Sequence, residues 1–448
     1  MIITVDNGIS AHEGVNFAKK NGIKVIITDH HLPEGILPEA DAIVNPNLPN
    51  SNFPSKSLAG VGVSFYLMLA LRSELNQKGW FRKRSIEVPN LANFLDLVAL
   101  GTISDLVPLD QNNRILVHQG LKRIRFGLCC TGIKALIMIS KIDIKRIVSN
   151  DLSFMISPKL NAAGRLDDMS ISVDLLITDD QSLAKTMAMK LNQLNESRKK
   201  IEENMQKEAY QMFETLNFSK DILPKVLVLY YPTWHQGIIG ILASRIKEYF
   251  NRPTIIFAKS KDGTLKGSGR SVEGLNMKNA IERMNQLYPG LILKFGGHKM
   301  AIGLTMEERK FQTFQKKFTH FSEKFLNQSI LNGSILSDGE LKGNDLSLET
   351  AELIRYSGPW GPEFPEPIFD GKFLILEKKI FKRKHLKMKL KLVKEKKEIN
   401  GIAFNYISKC SSDFGNLVRI AYKIDINYRY HYNRNEVQLL VQYLWPIA

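Results

Sequence analysis

The chain has 448 residues, of which 44% are hydrophobic, so it can form two or three domains with ordinary globular cores. Its net charge of +17 favours a polyanionic partner, first of all nucleic acid, although a solvated basic face would leave the same excess. Cys129, Cys130 and Cys410 form no Cys-x-x-Cys pair, so we expect neither a disulfide framework nor a cysteine zinc site, and we expect a reduced cytosolic setting. We find no signal peptide and no apolar run of about 20 residues, so we expect neither secretion nor a membrane span.

The first 45 residues alternate between strand and helix patterns. Apolar runs at Ile2–Val5, Val25–Thr28 and Ala42–Val44 predict strands, and Ala11–Asn21 predicts an amphipathic helix closed by Gly22. This alternation predicts a parallel sheet covered by helices. Residues 58–175 are predicted to be mostly helical, with the string from Ser157 to Leu166 interrupting the pattern as a turn.

The remaining chain is predicted to hold a long helix, a second α/β unit and a small β-barrel. Residues 181–216 carry one apolar stripe without Gly or Pro, which favours a helix connecting two domains. The α/β unit is predicted from these elements: strand Val226–Tyr230, helix Ile238–Phe250, strand Thr254–Ala258, loop Lys266–Ser271, helix from the N-cap Asn276, turn Gly296–His298 and a closing helix over about Glu307–Asn327. From about residue 334, short strands and turns predict the barrel.

The barrel region also carries the sequence's densest mixture of cations and aromatics. Lys387–Leu392 alternates strictly and predicts a strand with one lysine face. The other residues of this mixture are Lys378, Lys379, Lys382, Arg383, Lys384, Tyr428, Arg429, Tyr430, His431, Tyr432 and Arg434. Stacking side chains combined with positive charge are typical of single-strand nucleic-acid binding. A lysine-faced edge strand that only prevents aggregation is the alternative.

Three metal-capable side chains follow directly on apolar segments. Asp6 and His30 come after the first two predicted strands, and Asp105 ends an apolar helical run. Two divalent cations that activate water and neutralise a leaving oxygen hydrolyse phosphoesters, and such ions take carboxylate and imidazole ligands. Each residue alone also fits a turn or a helix cap. Together they predict part of a two-metal phosphoesterase centre.

Several cations in small-residue segments are candidates for phosphate binding. Arg270 stands in Gly-Ser-Gly-Arg-Ser, where backbone N–H groups can approach an anion, and Arg165 stands in a similar segment. His298 follows two glycines, and His235 lies in Trp-His-Gln-Gly. Solvated arginines and turn histidines are the alternatives for these residues.

Short strings over nearly the whole chain resemble the RecJ exonucleases of the DHH phosphoesterase superfamily. The matching strings, all in the family's order, are Thr4–Ser10, Thr28–His31, Asn45–Asn47, Leu58–Val63, Gly101–Leu109, Pro158–Leu166, Trp234–Ile241, Gly267–Ser271, Gly296–His298, Gly358–Gly361 and Phe364–Pro367. Each string is weak by itself, and their shared order makes the resemblance specific.

The resemblance implies an α/β architecture of four parts. These are an incomplete DHH domain over 1–180, a connecting helix over 181–216, a DHH-associated domain over 217–330 and an OB-fold over 334–448. It further implies 5′→3′ hydrolysis of single-stranded DNA in repair and recombination, two Mn or Mg ions, and a helicase and a single-strand-binding protein as possible partners, with no membrane.

Residue roles carried over from the resemblance divide into metal and substrate ligands. Asp6 would bridge the metals, with His30 and Asp105 beside it. The substrate or phosphate ligands would be His31, Arg165, His235, Arg245, Ser268, Arg270 and His298.

The sequence departs from the family at its beginning, where no Asp-x-Asp string precedes Asp6. This departure predicts a truncated product with an impaired first metal site and poor cleavage. Two alternatives follow: a binding module that holds single strands without cutting them, and a phosphodiesterase for short oligonucleotides. The basic C-terminal barrel disfavours the second alternative, because a small substrate needs no such extension.

Overall fold

The structure is a computed structural model that describes all residues except 34, 216–222, 328–329, 332, 383–384, 405, 407–414, 430–433 and 448. The predicted contacts of Arg383, Lys384, Tyr430, His431 and Tyr432, and the state of Cys410, therefore lie outside the described residues, as do the side chains of Arg429 and Arg434. In the part that is described, no helix combines the length and apolarity that crossing a membrane requires.

Fourteen described α-helices and thirteen described strands make up the fold. The helices are α1 His12–Lys20, α2 Gly60–Gln77, α3 Trp80–Lys83, α4 Leu95–Ser104, α5 Gln111–Arg125, α6 Thr131–Ile139, α7 Ser149–Asp151, α8 Ser157–Leu166, α9 Ser170–Ile177, α10 Gln181–Thr215, α11 Ile239–Phe250, α12 Met277–Leu287, α13 Phe311–Glu323 and α14 Leu348–Ser357. The strands are β1 Ile2–Val5, β2 Val25–Thr28, β3 Ala42–Val44, β4 Leu227–Tyr230, β5 Thr254–Lys259, β6 Thr264–Arg270, β7 Lys294–His298, β8 Ala301–Glu307, β9 Phe369–Phe381, β10 His385–Leu392, β11 Glu398–Ala403, β12 Leu417–Arg429 and β13 Arg434–Pro446. The chain divides into two compact units.

The first unit comprises Met1–Leu160, Ser170–Lys190 and Leu336–Ala448. Its parallel sheet has the order β1-β2-β3, as the strand and helix alternation predicted. Ile27 of the central strand is fully buried and packs with Val15 and Ala18 of α1. Burial on one side of a short apolar strand fixes its register, and hence fixes which residues stand at its carboxyl end.

The helices of this unit correct one sequence prediction. Ser157–Leu166 is the helix α8 and is not a turn. A π-helical turn, Leu152–Ile156, leads directly into α8, and the helical backbone continues through Pro158. The proline and glycine of this segment therefore gave a false turn signal.

Residues 369–446 include five strands that close into a barrel in the order β10-β11-β13-β12-β9. Along β10 the apolar residues face inward, so that Leu390 is fully buried while Lys387 and Lys389 face outward, which confirms the predicted lysine face. Closure removes the free edges that an open sheet of this size would expose.

The barrel is fastened to the helices of the same unit by a charged cluster. The Arg355 guanidinium lies 3.3 Å from Asp151 Oδ2 and 3.6 Å from Asp425 Oδ1, so it joins α7 to β12. Ser149 Oγ donates to the carbonyl of Trp360 over 2.8 Å. These contacts are partly or fully buried, where ion pairs and hydrogen bonds are weakly screened.

The second unit comprises Asn161–Met169 and Leu191–Ile335 and contains a mixed sheet with the order β4-β5-β6-β8-β7. One face of the sheet, with Ile256, packs against α11 through Leu242. The other face, with Phe257, packs against α12 and α13, where Phe314 is fully buried. Helices therefore cover both faces of this sheet.

Two glycine-rich segments of this unit are strands, although the sequence predicted a loop at Lys266–Ser271 and a turn at Gly296–His298. Residues through Arg270 belong to β6, and Gly296–His298 belong to β7. Gly267 and Gly269 face the core, where a Cβ would lie 2.5 Å from the Phe257 ring and 2.7 Å from Ile302 respectively. Glycine is required there for close packing, and it hides the alternation typical of a strand.

Candidate functional site

Asp6, His30 and Asp105 converge at the carboxyl ends of β1 and β2 and the end of α4. His30 Nε2 lies 3.0 Å from Asp6 Oδ1 and 3.4 Å from Asp105 Oδ2. The parallel pairing of Val5 with Thr28 brings Asp6 and His30 to the same sheet edge. The structure therefore brings together the three residues that the sequence predicted as metal ligands.

His31 completes this cluster. One ligand atom from each of Asp6, His30 and His31 lies within 4.8 Å of the others, and the two imidazole rings are 4.5 Å apart. His30 Nε2 is buried and makes no hydrogen bond of good geometry with any residue that the structure describes, although two carboxylates flank it. A buried ring nitrogen facing carboxylate oxygens fits a divalent cation such as Mn²⁺ or Mg²⁺.

The same environment perturbs the protonation of His30. Burial alone would lower the pKa of His30, but the carboxylates of Asp6, Asp105 and Asp29 raise it above its ordinary value. The charges that favour a proton on Nε2 also favour a cation beside it, so metal and proton compete for this position.

Asp29 orients the two histidines from behind and is almost completely buried. Its Oδ1 accepts the backbone N–H groups of His30 at 2.7 Å and His31 at 3.1 Å, and its Oδ2 accepts that of Ile9 at 3.0 Å. His31 Nδ1–H donates to Oδ1 over 2.7 Å, so the tautomer directs Nε2 as an acceptor away from Asp29.

Burial alone would raise the pKa of Asp29, but these hydrogen bonds outweigh it and hold the pKa below its ordinary value. Asp29 therefore stays ionised at neutral pH. Its role as an orienting carboxylate was not predicted from the sequence.

Two asparagines after β3 donate hydrogen bonds to the backbone carbonyls of His30 and His31. Asn47 Nδ2 donates to the His30 carbonyl over 2.6 Å, and Asn45 Nδ2 donates to that of His31 over 2.9 Å. The string Asn-Pro-Asn following a predicted strand was the available sequence signal for them. Together with Asp29 they fix the histidine backbone from both sides.

The Asp6 backbone is strained and closely covered. Asp6 has φ 64, the left-handed region that costs a non-glycine residue about 1 kcal/mol or more. A Cβ at Gly60, the first residue of α2, would overlap the Asp6 carboxylate. The site therefore requires glycine at position 60, which leaves room for the carboxylate beside the amino-terminal end of α2.

In the second unit, Arg270, Ser268 and the start of α11 form a group suited to an anion. Arg270 Nη1 donates to Ser268 Oγ over 3.1 Å and to the Gly269 carbonyl over 2.8 Å. A Cβ at Gly240 would lie 3.1 Å from Ser268 Oγ and 3.2 Å from Arg270 Nη2, so the first turn of α11 lies against both side chains. Backbone N–H groups at such a helix end favour negative charge.

Two further predicted ligands lie near this group. Burial and the positive charge of Arg165 both lower the pKa of Arg270, which shows that the two guanidinium groups are close enough to repel. Arg165 is placed by donating to the Gly237 carbonyl over 2.9 Å. His298 pairs with Ala301, which pairs with Arg270, so His298 and Arg270 share one face of the sheet.

The last two predicted substrate ligands occupy different settings. His235 accepts the Gly237 N–H over 3.1 Å through Nδ1 and so shapes the turn that leads into α11. The Arg245 guanidinium lies 3.0 Å from Glu202 Oε1 and 3.7 Å from Glu248 Oε2. Burial lowers the pKa of Arg245, but these carboxylates raise it above its ordinary value, so its charge is largely compensated.

The barrel exposes aromatic rings beside lysines. Lys387 Nζ lies 4.5 Å from the centroid of the Phe381 ring, and Phe404 packs edge-on against His385 with centroids 5.2 Å apart. Both phenylalanine rings are exposed. Exposed rings flanked by cations form a stacking surface for bases.

Comparison with known proteins places these features in one family. Sequence profiles match the DHH family, N-terminal domain over residues 1–102, the DHHA1 domain over 223–324 and the RecJ OB domain over 337–443. The chain is 54% identical over 448 residues to the single-stranded-DNA-specific exonuclease RecJ of Salmonella typhimurium and spans 77% of that protein.

Solved structures agree with the sequence relatives. RecJ of Thermus thermophilus in complex with Mn²⁺ covers the whole chain with a TM-score of 0.80 and 27% identity, and its Mg²⁺ complex does so with a TM-score of 0.73 and 26% identity. The chain spans 62% and 61% of those two chains. The chain thus belongs to the family of RecJ single-stranded-DNA-specific exonucleases.

Proposed function

We propose that this chain is a metal-dependent exonuclease that removes nucleotides from single-stranded DNA in the 5′→3′ direction during repair and recombination. The observation that carries this proposal is the convergence of Asp6 and Asp105 on His30 Nε2, at 3.0 and 3.4 Å. The names of the sequence relatives, which specify single-stranded DNA and exonuclease action, support the substrate and the reaction.

In this proposal Asp6, His30 and Asp105 hold a divalent cation, Mn²⁺ or Mg²⁺, with His31 beside it. The bound metal would activate water and stabilise the leaving oxygen of a phosphodiester. The chain's own contribution is to present two carboxylates and an imidazole on rigid strand and helix ends. A second ion, if present as in a two-metal mechanism, needs ligands in addition to these three.

Side chains of the second unit would hold phosphate groups of the substrate. Arg270, Ser268 and Arg165 would bind phosphate oxygens at the start of α11, and His298 would contribute from the same face. His235 and Arg245 are assigned the same role, with Arg245 requiring exchange of its Glu202 partner. Guanidinium groups suit this task because they bind phosphate in two places.

The proposed organisation follows the sequence prediction: a DHH domain over 1–180, a connecting helix over 181–216, a DHH-associated domain over 217–330 and an OB-fold over 334–448. The OB-fold would bind the strand through stacking on Phe381 and Phe404 and through the charge of Lys387. A cytoplasmic location and partnership with a helicase and a single-strand-binding protein are further proposals, testable by fractionation and by co-purification from the host.

The decisive experiment incubates the full chain with single-stranded DNA labelled at the 5′ end or at the 3′ end, with Mn²⁺. Release of the 5′ label as mononucleotide before the 3′ label, abolished by Asp6→Ala, is the expected result. Release of the 3′ label first would overturn the polarity. Strand binding without release from either end would instead show a binding protein that does not cut.

The barrel's role is tested by binding at several salt concentrations. Lys387→Ala and Phe404→Ala should each weaken binding of a long single strand about tenfold. Lys389→Ala is the matched control, because Lys389 lies on the same strand face but is paired with Glu398 at 2.9 Å. Equal losses for Lys387→Ala and Lys389→Ala would contradict a specific role for the lysine beside the aromatic ring.

A further inference from the structure

We propose that the hydroxyl pair Ser104–Ser157 positions Asp105 for metal binding. The inference rests on the proposed metal site and extends it to two residues that do not contact the ion. Ser104 is the last residue of α4 and immediately precedes Asp105, while Ser157 is the first residue of α8. The two Oγ atoms are 2.5 Å apart, so they join the ends of two helices that are distant in sequence.

The pair belongs to a short chain of hydrogen bonds with backbone anchors at both ends. Ser104 Oγ lies 2.6 Å from the Leu100 carbonyl, and Ser157 Oγ lies 2.8 Å from the Leu152 carbonyl. Two hydroxyl hydrogens serve these three oxygen–oxygen contacts. Two hydroxyl oxygens 2.5 Å apart need a hydrogen between them, so one hydroxyl hydrogen forms the Ser104–Ser157 bond and the other is donated to one of the two carbonyls.

The backbone around Ser157 is built to deliver this hydroxyl. Residues Leu152–Ile156 form a π-helical turn, whose wider ring lets the Ser157 N–H bond to the Leu152 carbonyl five residues back. Such turns are uncommon and occur frequently at functional sites. Ser157 is 5% exposed, so its hydroxyl is held in a dry, tightly packed position.

The position of Asp105 explains why this connection matters. Asp105 follows the last helical turn and is followed by Leu106 with φ 58, so the chain leaves the helical conformation directly after the carboxylate. Asp105 N donates to the Gly101 carbonyl over 3.0 Å, which ties Asp105 to the last turn of α4. The bond from Ser104 to Ser157 anchors that turn to α8, and it thereby fixes the distance between Asp105 and His30.

The test measures Mn²⁺ affinity of the full chain by calorimetry or by the paramagnetic resonance signal of free Mn²⁺. Ser157→Ala should weaken Mn²⁺ binding at least tenfold, as loss of outer-shell contacts does in metal sites. The cleavage lost by the variant should return when the Mn²⁺ concentration is raised, since the ligands themselves are intact. The melting temperature of the metal-free variant, compared with that of the parent, shows whether the fold itself is damaged, because bound Mn²⁺ also stabilises a weakened fold.

Ser140→Ala is the matched control. Ser140 follows the end of α6, and its Oγ donates to the carbonyl four residues back over 2.6 Å, as Ser104 does, far from the metal site in sequence. Both control and test variants lose such a local contact, so their melting temperatures show any common loss of stability. If Ser157→Ala does not fold, Ser104→Ala takes its place, with the same expectation.

Asp105→Asn and the parent chain distinguish failure of this inference from failure of the metal site itself. A parent chain that does not bind Mn²⁺ would overturn the proposed centre and this inference with it. The metal site is supported if the parent binds Mn²⁺ and Asp105→Asn weakens the binding. If Ser157→Ala then has the same Mn²⁺ affinity as Ser140→Ala, the positioning role of the serine pair is wrong. The inference is supported if Ser157→Ala loses Mn²⁺ affinity and Ser140→Ala does not.

Discussion

Replacing Asp29 by asparagine should destabilise the first unit and disorganise both histidines, with almost no change in side-chain volume. Asp29 Oδ1 accepts three hydrogen bonds, from the backbone N–H groups of His30 and His31 and from the His31 ring, and Oδ2 accepts a fourth from Ile9. An amide oxygen can replace Oδ1, but an amide NH₂ placed at Oδ2 faces the Ile9 N–H, donor against donor.

The magnitude follows from these four contacts. Loss of the negative charge costs about 1 kcal/mol for each of the three remaining bonds, since charge-assisted bonds are roughly twice as strong as neutral ones. The unsatisfied Ile9 N–H costs about 1–3 kcal/mol more, and removal of a buried charge returns part of the total. We therefore expect a loss of about 3 kcal/mol, or a fall of roughly 5 °C in the melting temperature of a unit of this size.

Calorimetry with and without Mn²⁺ measures both consequences. Asp41→Asn is the control, because the Asp41 carboxylate accepts the Val25 N–H over 2.8 Å as a single neighbouring contact in the same sheet. The pKa of Asp29 is lowered in the folded chain, so its stabilisation is complete at neutral pH and is lost as the pH falls through the acid range below about 4. An Asp29→Asn melting temperature equal to that of Asp41→Asn at pH 7 would refute this reasoning.

Three further outcomes are expected. Gly60→Ala should abolish high-affinity Mn²⁺ binding, measured by calorimetry, because its Cβ would overlap the Asp6 carboxylate; unchanged affinity would show that α2 can shift. Burial raises the pKa of Cys129 to about 12 and that of Cys130 to about 11, so few of these thiols are ionised at pH 8. In a variant whose third cysteine is replaced by serine, iodoacetamide should therefore label the native chain about a hundredfold more slowly than the unfolded chain. Arg270→Lys should weaken strand binding about tenfold in a filter assay despite its retained charge, and parent-like binding would rule out bidentate phosphate contact.

The convergence of Asp6, His30 and Asp105 could be predicted from the sequence because its signal is local. Asp6 and His30 each follow a short apolar strand, and parallel pairing of successive strands leaves little freedom in where their carboxyl ends meet. Asp105 follows the apolar helix α4. The packing of this helix against α5 was not predicted residue by residue, but the position of the helix end was sufficient to identify Asp105 as a candidate.

The supporting residues were missed because their roles depend on distant partners. Nothing in the sequence shows that Asp29 turns inward to bind Ile9, or that Ser104 meets Ser157 across more than fifty residues. The strands β6 and β7 were missed for a different reason. Their glycines interrupt the alternation of side chains that is typical of a strand, and glycine is otherwise a frequent turn residue.

At position 6, the residue type that can bind a metal ion differs from the one that best suits the left-handed backbone. With φ 64, this backbone conformation favours glycine over aspartate, and asparagine tolerates it as aspartate does. Asp6→Gly and Asp6→Asn should therefore melt at a temperature equal to or higher than the parent in the absence of metal, although both remove the proposed ligand. A screen of variants for thermal stability alone would therefore select against the proposed metal ligand. Position 6 should be kept unchanged when this chain is stabilised by such a screen.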